Sequence, residues 1–217
     1  MKINIKSYIV FVIALLILVA CAPKEDNKAI LVDEPTISVM PGCYSIDVQN
    51  HRELAGDADY VIKGQVVRTL DTEYRHPVEG ENEDGSIKIL TDPYTNYEVQ
   101  VLENLKGSLN MEGPIIIAKN GGVREDNSEY VLYENDLLPE EGNTYIFYVY
   151  AQEDGSNGVS GQNSTIPIDI SRAPRISACS NDIVEKSKTI ILEVQDGVDN
   201  EIVSERIRFV SDDELKN

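Results

Sequence analysis

The sequence predicts a mainly β (α+β) chain, a small closed β-barrel of five or six strands with short terminal helices. Three observations point there. Segments rich in β-branched and aromatic residues recur between residues 59 and 150, several with apolar and polar positions alternating. Turn signals separate them at Asp84-Gly85, Lys106-Gly107, Asn120-Gly121-Gly122, Glu141-Gly142 and Asp154-Gly155. Helical patterns are confined to the flanks of this region.

Residues 45–57 predict a short helix with Ser45 as N-cap, ending near Gly56. Asp59 to Leu70 reads as the first strand, with Tyr60, Ile62, Gly64 and Val66 on one face. Gly64, with no side chain to pack, marks a bend or bulge there. Residues 75–93 are a long polar insertion, expected as a flexible hairpin whose apolar part is Ile87, Ile89 and Leu90. Thr95 to Leu102 alternates cleanly and turns Tyr97, Val99 and Val101 inward. Residues 114–118 and 144–150 are further strands, and 130–133 a shorter candidate. In the 144–150 strand Tyr145, Phe147 and Val149 share one face, and Ile146, Tyr148 and Tyr150 the other. Gly158 to Gly161 reads as a loop. Near the end, Ser180 caps a helix that carries Ile183, Ile190, Ile191 and Val194 on one stripe. Thr189–Val194 also fits a strand, and the helix is preferred. The stretch after Gly197 is expected to continue as a second short helix.

The chain divides into 1–20, 21–44, 45–171 and 172–217. Lys2 and Lys6 precede a run without charge from Tyr8 to Ala20. A helix needs about 20 apolar residues to cross a bilayer, so this shorter run fits a secretion signal. It ends in Leu18-Val19-Ala20-Cys21, which resembles the bacterial lipoprotein box. That resemblance implies removal of the signal peptide 1–20 and acylation of Cys21, with palmitate-type chains on the new N-terminus. It places the protein at the cell membrane, lipid-anchored on the extracytoplasmic face. Two or more acyl chains give durable attachment where one gives a marginal one. Residues 22–42 carry three prolines and no sustained period, and read as a flexible tether spanning about 25 Å.

Acidic residues outnumber basic ones, 38 to 19, and the formal net charge is −19. A surface of that sign repels phosphate, which excludes nucleic acid as a partner. Beyond Cys21 the cysteines are Cys43 and Cys179, too far apart in sequence for a CxxC redox pair or a zinc knuckle. Outside the cytoplasm they are expected to form a disulfide, which in the chain-entropy view contributes roughly 4–5 kcal/mol. Two free buried thiols are the other reading.

Four stretches carry a second resemblance: "ADYVIKGQVV" (58–67), "YEVQVLENLKGSL" (97–109), "IIIAKNGGV" (115–123) and "LPEEGNTYIFYVYAQEDG" (138–155). Their pattern resembles a family of uncharacterised secreted bacterial lipoproteins. The order is also similar to the netrin-like module of tissue metalloproteinase inhibitors, which implies a small OB-like closed β-barrel. Those inhibitors chelate a target zinc through a free N-terminal cysteine. Here the implied N-terminus, Cys21-Ala22-Pro23, is acylated, so the resemblance carries over the fold and not the inhibition.

Little in the chain points to catalysis. The histidines are His51, in the first helix, and His76, in the polar insertion; no Gly-x-Ser-x-Gly elbow is present. Neither His nor Cys is clustered as a metal site requires, and an EF-hand loop around Gly85 fails because Gly80 would have to supply a ligand. No catalytic residue, metal or cofactor is expected. Tyr148 and Tyr150 are candidate ligand-binding residues, because an aromatic barrel face can take oligosaccharide or peptide. Packing against the barrel is the other role open to them. The expected function is a non-enzymatic binding or interaction module with a protein or saccharide partner. The rivals are a hydrolase of cell-wall or extracellular polymer using a carboxylate pair, and an extracytoplasmic protease inhibitor.

Overall fold

The computed structural model describes residues 36–82, 84–169, 176 and 183–214, with the backbone alone for 183–188. Residues 1–20, expected as a signal peptide, Cys21, most of the expected tether and Cys179 lie outside the described residues. Among the described residues no helix is long and apolar enough to cross a membrane.

The alternating runs form strands as their periods require. They are β1 (Ile37–Met40), β2 (Tyr60–Glu81), β3 (Ile87–Lys106), β4 (Ile115–Asn120), β5 (Gly122–Val123), β6 (Tyr130–Tyr133), β7 (Thr144–Ala151), β8 (Asn157–Val159) and β9 (Thr165–Asp169). Two helices flank the main sheet, α1 (His51–Asp57) and α2 (Ile183–Asp199). The six-stranded sheet runs β2-β3-β4-β8-β7-β9, and β2 also pairs with β7. The sheet therefore curls into a partial ring. All its ladders are antiparallel except β4–β8.

Inside the ring pack Tyr60, Ile62, Val66, Tyr97, Val99, Val101, Tyr145, Phe147 and Val149, sets that the alternation puts on shared faces, together with Ile117. The register of β2 against β3 shifts between Lys63 and Gly64. A Cβ on Gly64 would stand 2.5 Å from Val99 Cγ1, so the bulge brings the backbone onto the core. A second apolar layer lies outside the ring. There Val61, Ile146 and Tyr148 meet Leu54 and Ala55 of α1 and Val194 of α2.

Several elements differ from the sequence expectation, each for a local reason. The first helix begins at His51 and is capped by Asn50, whose side chain accepts the Arg52 N–H at 3.0 Å. Ser45 does not cap it, because residues 47–50 form a turn: the Asp47 carbonyl accepts from Asn50 N–H and its carboxylate from Gln49 N–H. The polar insertion is ordered β-ribbon, in which β2 and β3 stay paired out to Glu81↔Ile87. Gly158 and Val159, expected in a loop, belong to β8. The β6 segment leaves the ring and joins β1 and β5 in a separate three-stranded sheet. Ile37–Met40, within the expected tether, thus pairs in parallel with Tyr130–Tyr133.

No second helix follows α2 among the described residues; 201–211 runs back along the body as an extended strap. Its arginines hold it there. Arg206 Nε donates to the Asp57 carbonyl at 2.8 Å, and Arg208 donates to the carbonyls of Gly56, Asp57 and Ala58. Lys106 adds bonds to the carbonyls of Ala55 and Ala58 at 2.7 and 2.9 Å. Cations thus crowd the C-terminal end of α1, where the helix dipole favours them.

Gly56 sits where the strap crosses α1, and a Cβ there would meet the Ile202 carbonyl oxygen at 1.9 Å. Gly56→Ala should therefore displace the strap and cost about 1–3 kcal/mol, as overpacking does. Urea unfolding and limited proteolysis within 201–211 test this; an unchanged midpoint with a protected strap would contradict it.

His51 shares a 2.9 Å hydrogen bond through Nδ1 with Tyr148 OH, and burial holds its imidazole below the ordinary range, with Glu193 opposing. The folded chain then binds this proton more weakly than the unfolded chain does. Stability should fall as pH drops below about 6.5, the ordinary histidine value. Thermal midpoints between about pH 7 and 5.5 should decline less steeply in His51→Gln, and equal slopes would refute the assignment.

Candidate functional site

Four tyrosines from separate segments converge on one cleft. Tyr44 precedes α1, Tyr94 lies on β3 where the ribbon leaves the ring, Tyr133 ends β6, and Tyr150 is the last residue but one of β7. Arg75 and His76 on β2 border it, and Arg206 and Phe209 of the strap close another side. The cleft encloses about 520 Å³, inside the ~300–1,000 Å³ range of small-molecule sites.

Its rings are fixed from behind. Tyr44 OH accepts the Gln162 N–H at 2.9 Å, and Tyr94 OH accepts from Asn120 Nδ2 at 3.2 Å. The Tyr44 and Tyr133 rings lie 6.4 Å apart at 58°. Arg75 stacks on Tyr94 with its guanidinium carbon 4.5 Å from the ring centre, and Arg206 on Tyr150 at 5.1 Å. Burial pushes the hydroxyls of Tyr44, Tyr94 and Tyr150 up, and Asp57 beside Tyr150 pushes the same way. All three therefore stay protonated at neutral pH.

The charges of the cleft are matched locally. Arg75 Nη2 is 2.8 Å from Glu73, whose carboxyl Arg75 and then Asn96 hold below the usual range. Arg206 Nη2 is 2.6 Å from Asp59, and its Nε is 3.7 Å from Asp57. Asp57 also accepts from Ser204 Oγ. The carboxylate lining the cleft is thus committed to structural contacts. Among the described residues no group of three or more His, Cys, Asp and Glu is placed to hold a metal ion.

The two candidate tyrosines part company. Tyr150 lines the cleft, while Tyr148 is fully buried beneath α1 and α2 and meets no ligand from the surface. Cys43 is exposed at the cleft, and its expected partner Cys179 lies outside the described residues. His76 reaches the site, 3.2 Å from Asp92 on the paired strand, and His51 does not. Sequence reasoning missed Tyr44, Arg75, Tyr94, Tyr133 and Arg206 because no motif or spacing links them; the ladders and the strap bring them together.

A buried ion pair braces the cleft floor. Lys119 of β4 and Asp136, after β6, are both fully buried and bonded to each other. Lys119 Nζ also donates to Ser164 Oγ at 3.3 Å, and that hydroxyl donates to the Gly161 carbonyl at 2.6 Å. Gly161 lines the cleft. The Leu137 N–H donates to Asp136 at 2.9 Å. Burial pushes the Asp136 carboxyl up, and Lys119 opposes that shift. The signal in the sequence was a lysine closing the apolar run Ile115–Ala118.

Removing one partner strands the other in a dry interior. Lys119→Met should cost about 3–5 kcal/mol, and Lys119→Met with Asp136→Leu clearly less. Denaturant titration of both variants decides, and an equal loss in the double variant would count against the pair. No family model and no curated protein matches this chain.

Proposed function

We propose that the protein is a lipid-anchored, extracytoplasmic binding module that takes its ligand in the tyrosine cleft. The observation that carries this reading is the convergence of Tyr44, Tyr94, Tyr133 and Tyr150 on one cleft, with Tyr44 and Tyr94 tied by hydrogen bonds from behind. Pre-positioned aromatic surface binds a ligand without the cost of ordering side chains. The rival carboxylate-pair chemistry gains no support from Asp57, which Arg206 and Ser204 already engage.

The anchor rests on the leader. A basic start at Lys2 and Lys6, a short apolar run and Leu18-Val19-Ala20-Cys21 occur in the order that a lipoprotein signal requires. The high negative charge suits a soluble body held off a membrane by its lipid rather than by attraction to anionic headgroups.

Cys21→Ala should move the protein from the membrane fraction to the soluble or secreted fraction; continued membrane retention would sink the anchor. In intact cells, crosslinking through the lipidated protein should retrieve a surface component that is lost when Tyr94→Ala and Tyr133→Ala are combined. Retrieval unaffected by that double change would remove the cleft from the proposal.

A further inference from the structure

We infer that the cleft is a site for a neutral saccharide, gripped by tyrosine ring surfaces and uncharged hydrogen-bonding groups rather than by a counter-charge. This deepens the binding-module reading and rests on it.

Charge is the first argument. The chain carries a net −19, yet the cleft presents two arginines, each already matched: Arg75 by Glu73, and Arg206 by Asp59 with Asp57 near. An anionic ligand would have to compete with those carboxylates for the guanidinium charge, and a cationic one would meet the guanidinium groups. A neutral ligand disturbs neither pair.

Ring placement is the second. The hydroxyls of Tyr44 and Tyr94 are tied to Gln162 and Asn120, and that of Tyr150 to Asp57. Their rings are therefore held in place; Arg75 lies over one face of Tyr94 and Arg206 over one face of Tyr150, so the rings that carry no stacked cation are those of Tyr44 and Tyr133. Sugar rings offer a C–H face to such a platform and hydroxyls at its rim. Polar groups are ready for those hydroxyls. The Gln152 side-chain oxygen and the Ser160 hydroxyl belong to residues that border the cleft and make no hydrogen bond among the described residues.

The third argument separates saccharide from peptide. An extended peptide gains affinity by adding a strand to an open sheet edge. The strand at the cleft floor, β8, is already paired on both sides, with Ile117–Lys119 of β4 and Tyr150–Ala151 of β7. No edge of β8 is left for main-chain pairing.

The test uses the full-length lipidated protein in detergent micelles. It is applied to immobilised hexasaccharides of neutral hexoses and N-acetylhexosamines, to uronate-containing hexasaccharides, and to a set of extended decapeptides. The neutral chains should bind, with affinity constant within about twofold up to ~1 M NaCl, because the contact involves no ligand charge to screen. Tyr133→Ala should weaken binding by about tenfold while Tyr133→Phe keeps it, since the ring surface supplies the contact. Binding confined to uronates and lost in salt, or confined to peptides, overturns the saccharide assignment and leaves the binding module standing. Glycan binding that Tyr133→Ala leaves unchanged also overturns it. No retention of any probe overturns both readings.

Discussion

The organising constraint is that β7 is apolar on both faces. Tyr145, Phe147 and Val149 point into the ring and Ile146 and Tyr148 point out of it, and all five are buried. Burying each such side chain stabilises by about 1.5–3 kcal/mol, so neither face can be left wet. The inner face is satisfied by curling the sheet until β7 meets β2. The outer face requires a cover, which α1 and α2 supply. Both edges of β7 are used as well, by β2 on one side and by β8 and β9 on the other. A central strand so enclosed fixes the ends of its neighbours, and the cleft forms at one of those ends, beside Tyr150.

A second constraint ties the smaller sheet to the ring. Lys119 and Asp136 are ionised types in a dry interior, and such a pair is costly to bury unless its hydrogen bonds are complete. Ser164 and the Leu137 N–H help to complete them. The bond joins β4 of the ring to the segment following β6, so Tyr133 is held at a set distance from Tyr94 and Tyr150. The Gly121–Gly122 step makes that geometry possible: both residues have positive φ, 124° and 149°, which a side chain would strain. Through it the chain leaves β4 for the three-stranded sheet.

The ring was largely legible in the sequence because period-two alternation records which face is wet. Tyr60, Ile62, Val66, Tyr97, Val99 and Val101 were all readable as inward, and all line the core. The helix start was misplaced because Ser45 and Asn50 are both good caps, and only the turn at Asp47 decides between them. The ribbon was legible as a hairpin but not as a regular ladder: its apolar residues Val78, Ile87 and Ile89 are exposed, so no buried face marks the strands, and the pairing out to Glu81↔Ile87 orders it. Of the two tyrosines singled out in 144–150, Tyr150 lines the cleft, but the pattern could not tell that Tyr148, on the same face, would be roofed by helices.

By itself, the sequence determined the β class, the inward residues and the acidic balance, because each is a local property of composition or period. Tertiary structure alone decided the cleft. Its tyrosines come from residues 44, 94, 133 and 150, separated by distances that no periodicity spans, and its arginines from the ribbon and the returning strap. A site assembled from single residues on different strands is written only in how those strands pair.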